Sequence, residues 1–128
     1  MKFSSKTLNW LIISYWSIIL ILSVVSMNGS IALNKSKVLG FRSDYLLHVL
    51  LFIPWMVFAK WRWKEVNSKS IFWLTFGIGI LFAGISEVVQ IFVPDRTFNM
   101  MDLAANCLGI VAGVLISGWG RSKQVVSS

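Results

Sequence analysis

The only histidine of this sequence, His48, lies four residues after Asp44. Glu87 precedes Gln90 by three residues, and Asp102 precedes Asn106 by four. At these spacings both members of each pair share one face of an α-helix. Carboxylates and an imidazole are the groups from which acid–base sites are built. Arg96, between the second and third pairs, adds a planar cation that grips phosphate or carboxylate through two parallel bonds. His48 and Glu87 are therefore the candidate catalytic residues, exchanging a proton with a substrate. Asp44, Gln90, Arg96, Asp102 and Asn106 are candidate substrate-binding residues. Asp44, one turn from His48, is expected to orient the ring and hold one tautomer.

These residues must be positioned by an unusually apolar chain. Of its 128 residues 56% are hydrophobic and 13% charged, with a mean hydropathy of +0.74. Soluble domains are roughly a quarter charged, and a domain this small cannot bury so much apolar surface. Disordered chains are polar and charge-rich, so disorder is excluded as well. The bilayer is the solvent that fits. A helix crosses a hydrocarbon core with roughly 20 apolar residues, and four stretches supply them, at about 8–27, 44–63, 71–93 and 100–119. The first has no charge between Leu8 and Met27. It exceeds the roughly 7–15 residues of a signal h-region and has no small-x-small cleavage site after it, so it reads as an uncleaved anchor. The second ends in Lys60, Trp61, Arg62, Trp63 and Lys64, a mixture suited to the membrane–water interface. Trp10 and Trp119, near other span ends, read the same way. The third is interrupted only by Glu87, and the fourth carries Asp102 near its start. Segments Asn28–Ser43, Lys64–Ser70, Pro94–Asn99 and Gly120–Ser128 are too short for a second domain. The fold expected is all-α, a four-transmembrane-helix bundle forming one domain over residues 1–128.

With four spans both termini lie on one side, together with the second loop. That side holds Lys2, Lys6, Lys60, Arg62, Lys64, Lys69, Arg121 and Lys123, against Lys35, Lys37, Arg42 and Arg96 opposite. The positive-inside bias places both termini in the cytoplasm. It also accounts for the net charge of +7: the basic residues flank spans and form no separate arm, so no nucleic-acid partner is expected. Asp44, Glu87, Asp95, Asp102 and His48 then all belong to the outer side, and Glu65 is the one cytoplasmic acid. At about 1.5 Å per residue, His48 lies one turn, and Glu87 and Asn106 roughly 9 Å, inside the outer helix ends. On the fourth helix Asp102, Asn106, Gly109 and Gly113 share a face, so the polar pair runs into a Gly-x-x-x-Gly seam that permits close helix approach. The third helix has small residues in Gly77, Gly79, Ala83 and Gly84. The third and fourth helices, joined by a short loop, are expected to be antiparallel neighbours, with Glu87 and Gln90 facing Asp102 and Asn106 and Arg96 folding back over them.

Asp44-x-x-x-His48, Glu87-x-x-Gln90, Pro94-x-Arg96 and Asp102-x-x-Asn106-x-x-Gly109, in this order and spacing, resemble the VanZ-like membrane proteins. The resemblance runs from Leu8 to Trp119. It implies a small bacterial multi-pass membrane protein of the cell envelope, in a family named for its association with resistance to the glycopeptide antibiotic teicoplanin. One departure is Tyr45, where members often carry Lys directly after the acid of the second helix.

Each residue also has a plainer reading. His48 can be a buried neutral ring, Glu87 a structural partner of Arg96, and Asp102 a charge favoured at a helix N-terminus. Asn106 and Gln90 can be interhelical glue. One histidine with a few carboxylates is a poor divalent-metal set, and no metal or other cofactor is expected. Cys107 is the only cysteine, which excludes intrachain disulfides. Ser86 has no nucleophile elbow around it. Ionisable groups inside a span are costly and usually mark function. The sequence therefore points to an outward-facing polar intramembrane site, acting on or binding an anionic or lipid-linked envelope molecule. The alternative is a structural or assembly subunit whose polar cluster only sets helix packing. An enzyme and a binding or carrier protein both fit the first reading.

Overall fold

The computed structural model describes residues 4–24, 37–38, 41–63, 68–94 and 97–119, giving the backbone alone for 37–38 and 41–44. Four helices are present: α1 (Ser5–Val24), α2 (Ser43–Arg62), α3 (Lys69–Gln90) and α4 (Met100–Ser117). A two-stranded antiparallel ribbon, β1 (Lys37–Val38) and β2 (Phe41–Arg42), pairs Lys37 with Arg42 and Val38 with Phe41 and leads into α2. The sequence offers no sign of it, because two-residue strands are too short to show a period.

The helix boundaries follow from local chemistry. Ser4 Oγ accepts the Thr7 N–H, Ser68 Oγ accepts the Ser70 N–H and Asn99 Oδ1 accepts the Met101 N–H. Each satisfies a donor that the first helical turn leaves open. These caps start α1 and α3 a few residues before their apolar runs begin. Gly118 ends α4 in the left-handed conformation (φ 62°), which costs a residue without Cβ nothing.

Helices consecutive in the chain alternate in direction. At one end, Arg62 Nε donates to Asn9 Oδ1 (2.7 Å) and Lys60 Nζ donates to the Ser117 carbonyl, joining the start of α1 to the ends of α2 and α4. The lysine satisfies one of the carbonyls that a helix C-terminus leaves open and places positive charge at its negative pole. The core between the helices is aromatic. Trp16 stacks on Phe82 (centroids 4.0 Å apart, planes 19°) and meets Phe52 and Trp55 at steeper angles. Trp55 donates its indole N–H to the Thr75 carbonyl (3.0 Å). Gly79 makes this approach feasible, since a Cβ there would lie 2.7 Å from the Trp55 ring.

The glycines of α4 serve a different pair of helices from the one expected. α3 and α4 do touch, but α4 packs most extensively on α2, parallel to it. A Cβ on Gly109 would run into the Val49 carbonyl oxygen, and one on Gly113 would lie 2.5 Å from the Ile53 carbonyl oxygen. The seam therefore brings the α2 and α4 backbones together. Of the small residues on α3, Gly79 and Ala83 are buried, while a Cβ on Gly77 or Gly84 would meet nothing within 4 Å. Trp119 also departs from its expected role as an anchor at the membrane surface. It is buried against Phe72, with ring centroids 5.8 Å apart, because the Gly118 turn folds it back onto the bundle. Trp10 and Trp61 do face outward.

The surface is apolar. Trp73, Leu74, Leu81, Leu108, Leu115 and Ile116 are exposed, whereas Ser86, Glu87, Gln90, Asp102 and Asn106 are buried. α1, α3 and α4 are each long and apolar enough to cross a membrane. A polar interior under an apolar surface is the arrangement a bilayer stabilises.

Candidate functional site

Three helices contribute to one hydrogen-bonded chain at the end of the bundle opposite Lys60 and Arg62. α3 brings Glu87 one turn before its end, α4 brings Asn106 in its second turn, and α2 brings His48 early in its length. Asn106 Nδ2 donates to Glu87 Oε1 at 2.9 Å. The other end of the same amide, Oδ1, lies 2.9 Å from His48 Nδ1. Glu87 Oε1 itself is 3.8 Å from His48 Nδ1, too far for a direct hydrogen bond, so the amide mediates between acid and imidazole. Asp102, one turn before Asn106 on the same face of α4, places Oδ2 3.9 Å from His48 Nε2. The imidazole thus spans one turn of α4, with a nitrogen directed to each residue.

Accessibility grades along this chain. Glu87 and Asn106 are completely buried (0% exposed), whereas the His48 side chain is 16% exposed. The buried end is acidic and the reachable end is the imidazole. The α2–α4 seam explains the close fit, because Gly109 directly follows the polar turn of α4 and lets His48 approach Asn106. Gln90 is buried one turn beyond Glu87. Ser86, beside Glu87, donates its hydroxyl to the Ala83 carbonyl (2.8 Å), a local helix bond.

The structure thus brings together His48, Glu87, Asp102 and Asn106. The Asp44 side chain and the whole of Arg96 lie outside the described residues. Within the described residues, His48 Nδ1 is hydrogen-bonded to Asn106. Sequence spacing pairs residues within a helix, so it could not show this link between α2 and α4. Among the described residues no three His, Cys, Asp or Glu side chains converge to hold a metal ion.

An apolar-surfaced helical bundle with an acid and an amide buried between its helices, and an imidazole beside them, is the arrangement of a membrane protein. The VanZ/LLP1 family model matches residues 3–120, and the chain belongs to that family. Neither the curated proteins nor the solved structures contain a match to it.

Proposed function

We propose that this protein is a four-span plasma-membrane protein with both termini in the cytoplasm, and that its outward-facing site exchanges a proton with an anionic or lipid-linked envelope molecule that it binds. One observation carries this reading: a fully buried carboxylate is linked through a single amide to an imidazole with an exposed edge. Packing alone does not require the two ionisable ends of such a chain. A proton-exchanging site uses both, one to take the proton and one to stabilise the resulting charge. α2 is read as the fourth span because it is as long as α1 and lies parallel to α4 along a glycine seam. The bias of Lys and Arg supports the cytoplasmic placement of the termini. His48 and Glu87 hold the catalytic roles. Asp44, Gln90, Arg96, Asp102 and Asn106 are proposed to bind the substrate or orient the ring, the Arg96 guanidinium being the group whose chemistry suits a phosphate. By altering envelope composition, such a site would change susceptibility to glycopeptides such as teicoplanin.

The second reading, a structural subunit, is favoured by the fact that both short hydrogen bonds of the chain join different helices. Incubating the purified protein in detergent with extracted envelope lipids separates the two. Conversion of a lipid-linked component, lost in His48→Gln while membrane abundance is unchanged, supports proton exchange. Absence of any product, together with wild-type glycopeptide susceptibility in cells carrying His48→Gln or Glu87→Gln, would leave the structural reading.

A further inference from the structure

We infer that Asn106 is a positioning residue that holds the His48 imidazole as its Nδ1–H tautomer, making Nε2 the proton-accepting atom of the site. This rests on the proton-exchange reading for its purpose, though not for its chemistry. An ionised carboxylate can only accept hydrogen bonds. Asn106 Nδ2 donates to Glu87 Oε1 at 2.9 Å, the direction that an ionised Glu87 requires. The two ends of an amide have nearly the same shape, and it is the acceptor-only partner that decides between them. The amide oxygen is then left facing His48 Nδ1 at 2.9 Å. A carbonyl oxygen has no proton to offer, so the hydrogen of that bond must be carried by Nδ1. In the neutral ring the lone pair accordingly lies on Nε2.

The position of Nε2 suits an acceptor. It points to the Asp102 side of the ring, 3.9 Å from Oδ2, beyond hydrogen-bonding distance. The described charged groups facing the ring are Glu87 from α3 and Asp102 from α4. A proton arriving at Nε2 therefore creates a cation between two acids from different helices. Asn106 needs no contact with substrate for this. It reports the presence of the buried acid to the ring as a choice of tautomer.

Because the chain contains a single histidine, its ring can be read without assignment. The full-length protein, purified through a histidine-free tag and labelled with 15N in the imidazole, would be placed in nanodiscs at a pH where the ring is neutral. Long-range 1H–15N correlation spectra then distinguish the two tautomers. The wild-type ring is expected to show a protonated Nδ1 and an unprotonated Nε2. Asn106→Leu removes the acceptor and is expected to lose the single Nδ1–H form. A wild-type ring protonated on Nε2 would overturn the inference, as would a folded Asn106→Leu protein that keeps a pure Nδ1–H ring. If Asn106→Leu does not accumulate, the wild-type spectrum decides alone. Turnover plays no part in this readout, so a failure of the tautomer assignment is distinguishable from a failure of the proposed reaction.

Discussion

An acid and an imidazole joined through an amide differ from the same pair in direct contact: the amide has a direction, and Glu87 Oε1 stays 3.8 Å from His48 Nδ1, beyond direct hydrogen-bonding distance. Glu87 is sealed and His48 is reachable, so each contributes separately to the proposed chemistry. His48→Gln is expected to lower turnover of envelope lipid by about 10²–10⁴-fold, the usual worth of a positioned acid–base group. Product formation by the purified variant measures it. Glu87→Gln keeps an acceptor oxygen for Asn106 but removes the charge. It should leave the protein's abundance in the membrane unchanged while reducing turnover. Glu87→Leu is different, because it strands a buried amide donor; a stability loss of about 1–3 kcal/mol is expected from unfolding in detergent.

Among the elements, the α2–α4 pair sets the geometry. Gly109 and Gly113 lie against the carbonyls of Val49 and Ile53, and backbone atoms cannot move aside as flexible side chains do. Gly109→Ala and Gly113→Ala are therefore each expected to cost about 1–3 kcal/mol, the usual cost of overpacking. Gly109→Ala should also weaken the His48–Asn106 bond by moving α2 away from α4. Gly77→Ala and Gly84→Ala, where a Cβ meets nothing within 4 Å, should change stability by less than about 0.5 kcal/mol. Thermal unfolding of the four variants in one detergent compares them directly. Equal losses at all four positions would mean that close helix approach is not what these glycines provide. The sequence shows that Gly109 and Gly113 share the face of Asp102 and Asn106. It does not show which helix that face meets, because a short α3–α4 loop and a parallel α2–α4 packing are compatible with the same spacing.

The molecule as a whole has apolar residues on its surface and polar ones enclosed. Exposed Trp73, Leu81, Leu108 and Ile116 contrast with enclosed Glu87, Asp102 and Asn106. The bonds from Arg62 to Asn9 and from Lys60 to Ser117 gather the α1 start with the α2 and α4 ends, as an up-and-down bundle requires. The proposed orientation predicts that a cysteine at position 128, in a Cys107→Ser background, reacts with a membrane-impermeant thiol reagent only after the cell membrane is opened. Labelling of intact cells would reverse the topology, and with it the placement of the site on the outer face.

The number of helices, their approximate extents and the polar residues that lie within them were legible from the sequence. Long apolar runs have few alternatives in a chain this poor in charge, and an ionisable residue inside such a run is conspicuous. The similar depths of His48, Glu87 and Asn106 were legible too, because the helical rise converts residue number into length. Tertiary structure alone decided that Asn106 stands between Glu87 and His48, that the α4 glycines serve α2, and that Trp119 turns inward. Each of these depends on how one helix is rotated against another. That rotation is set by the joint packing of Trp16, Phe52, Trp55 and Phe82 and the backbone contacts at Gly109 and Gly113, and no periodicity within a single helix encodes it.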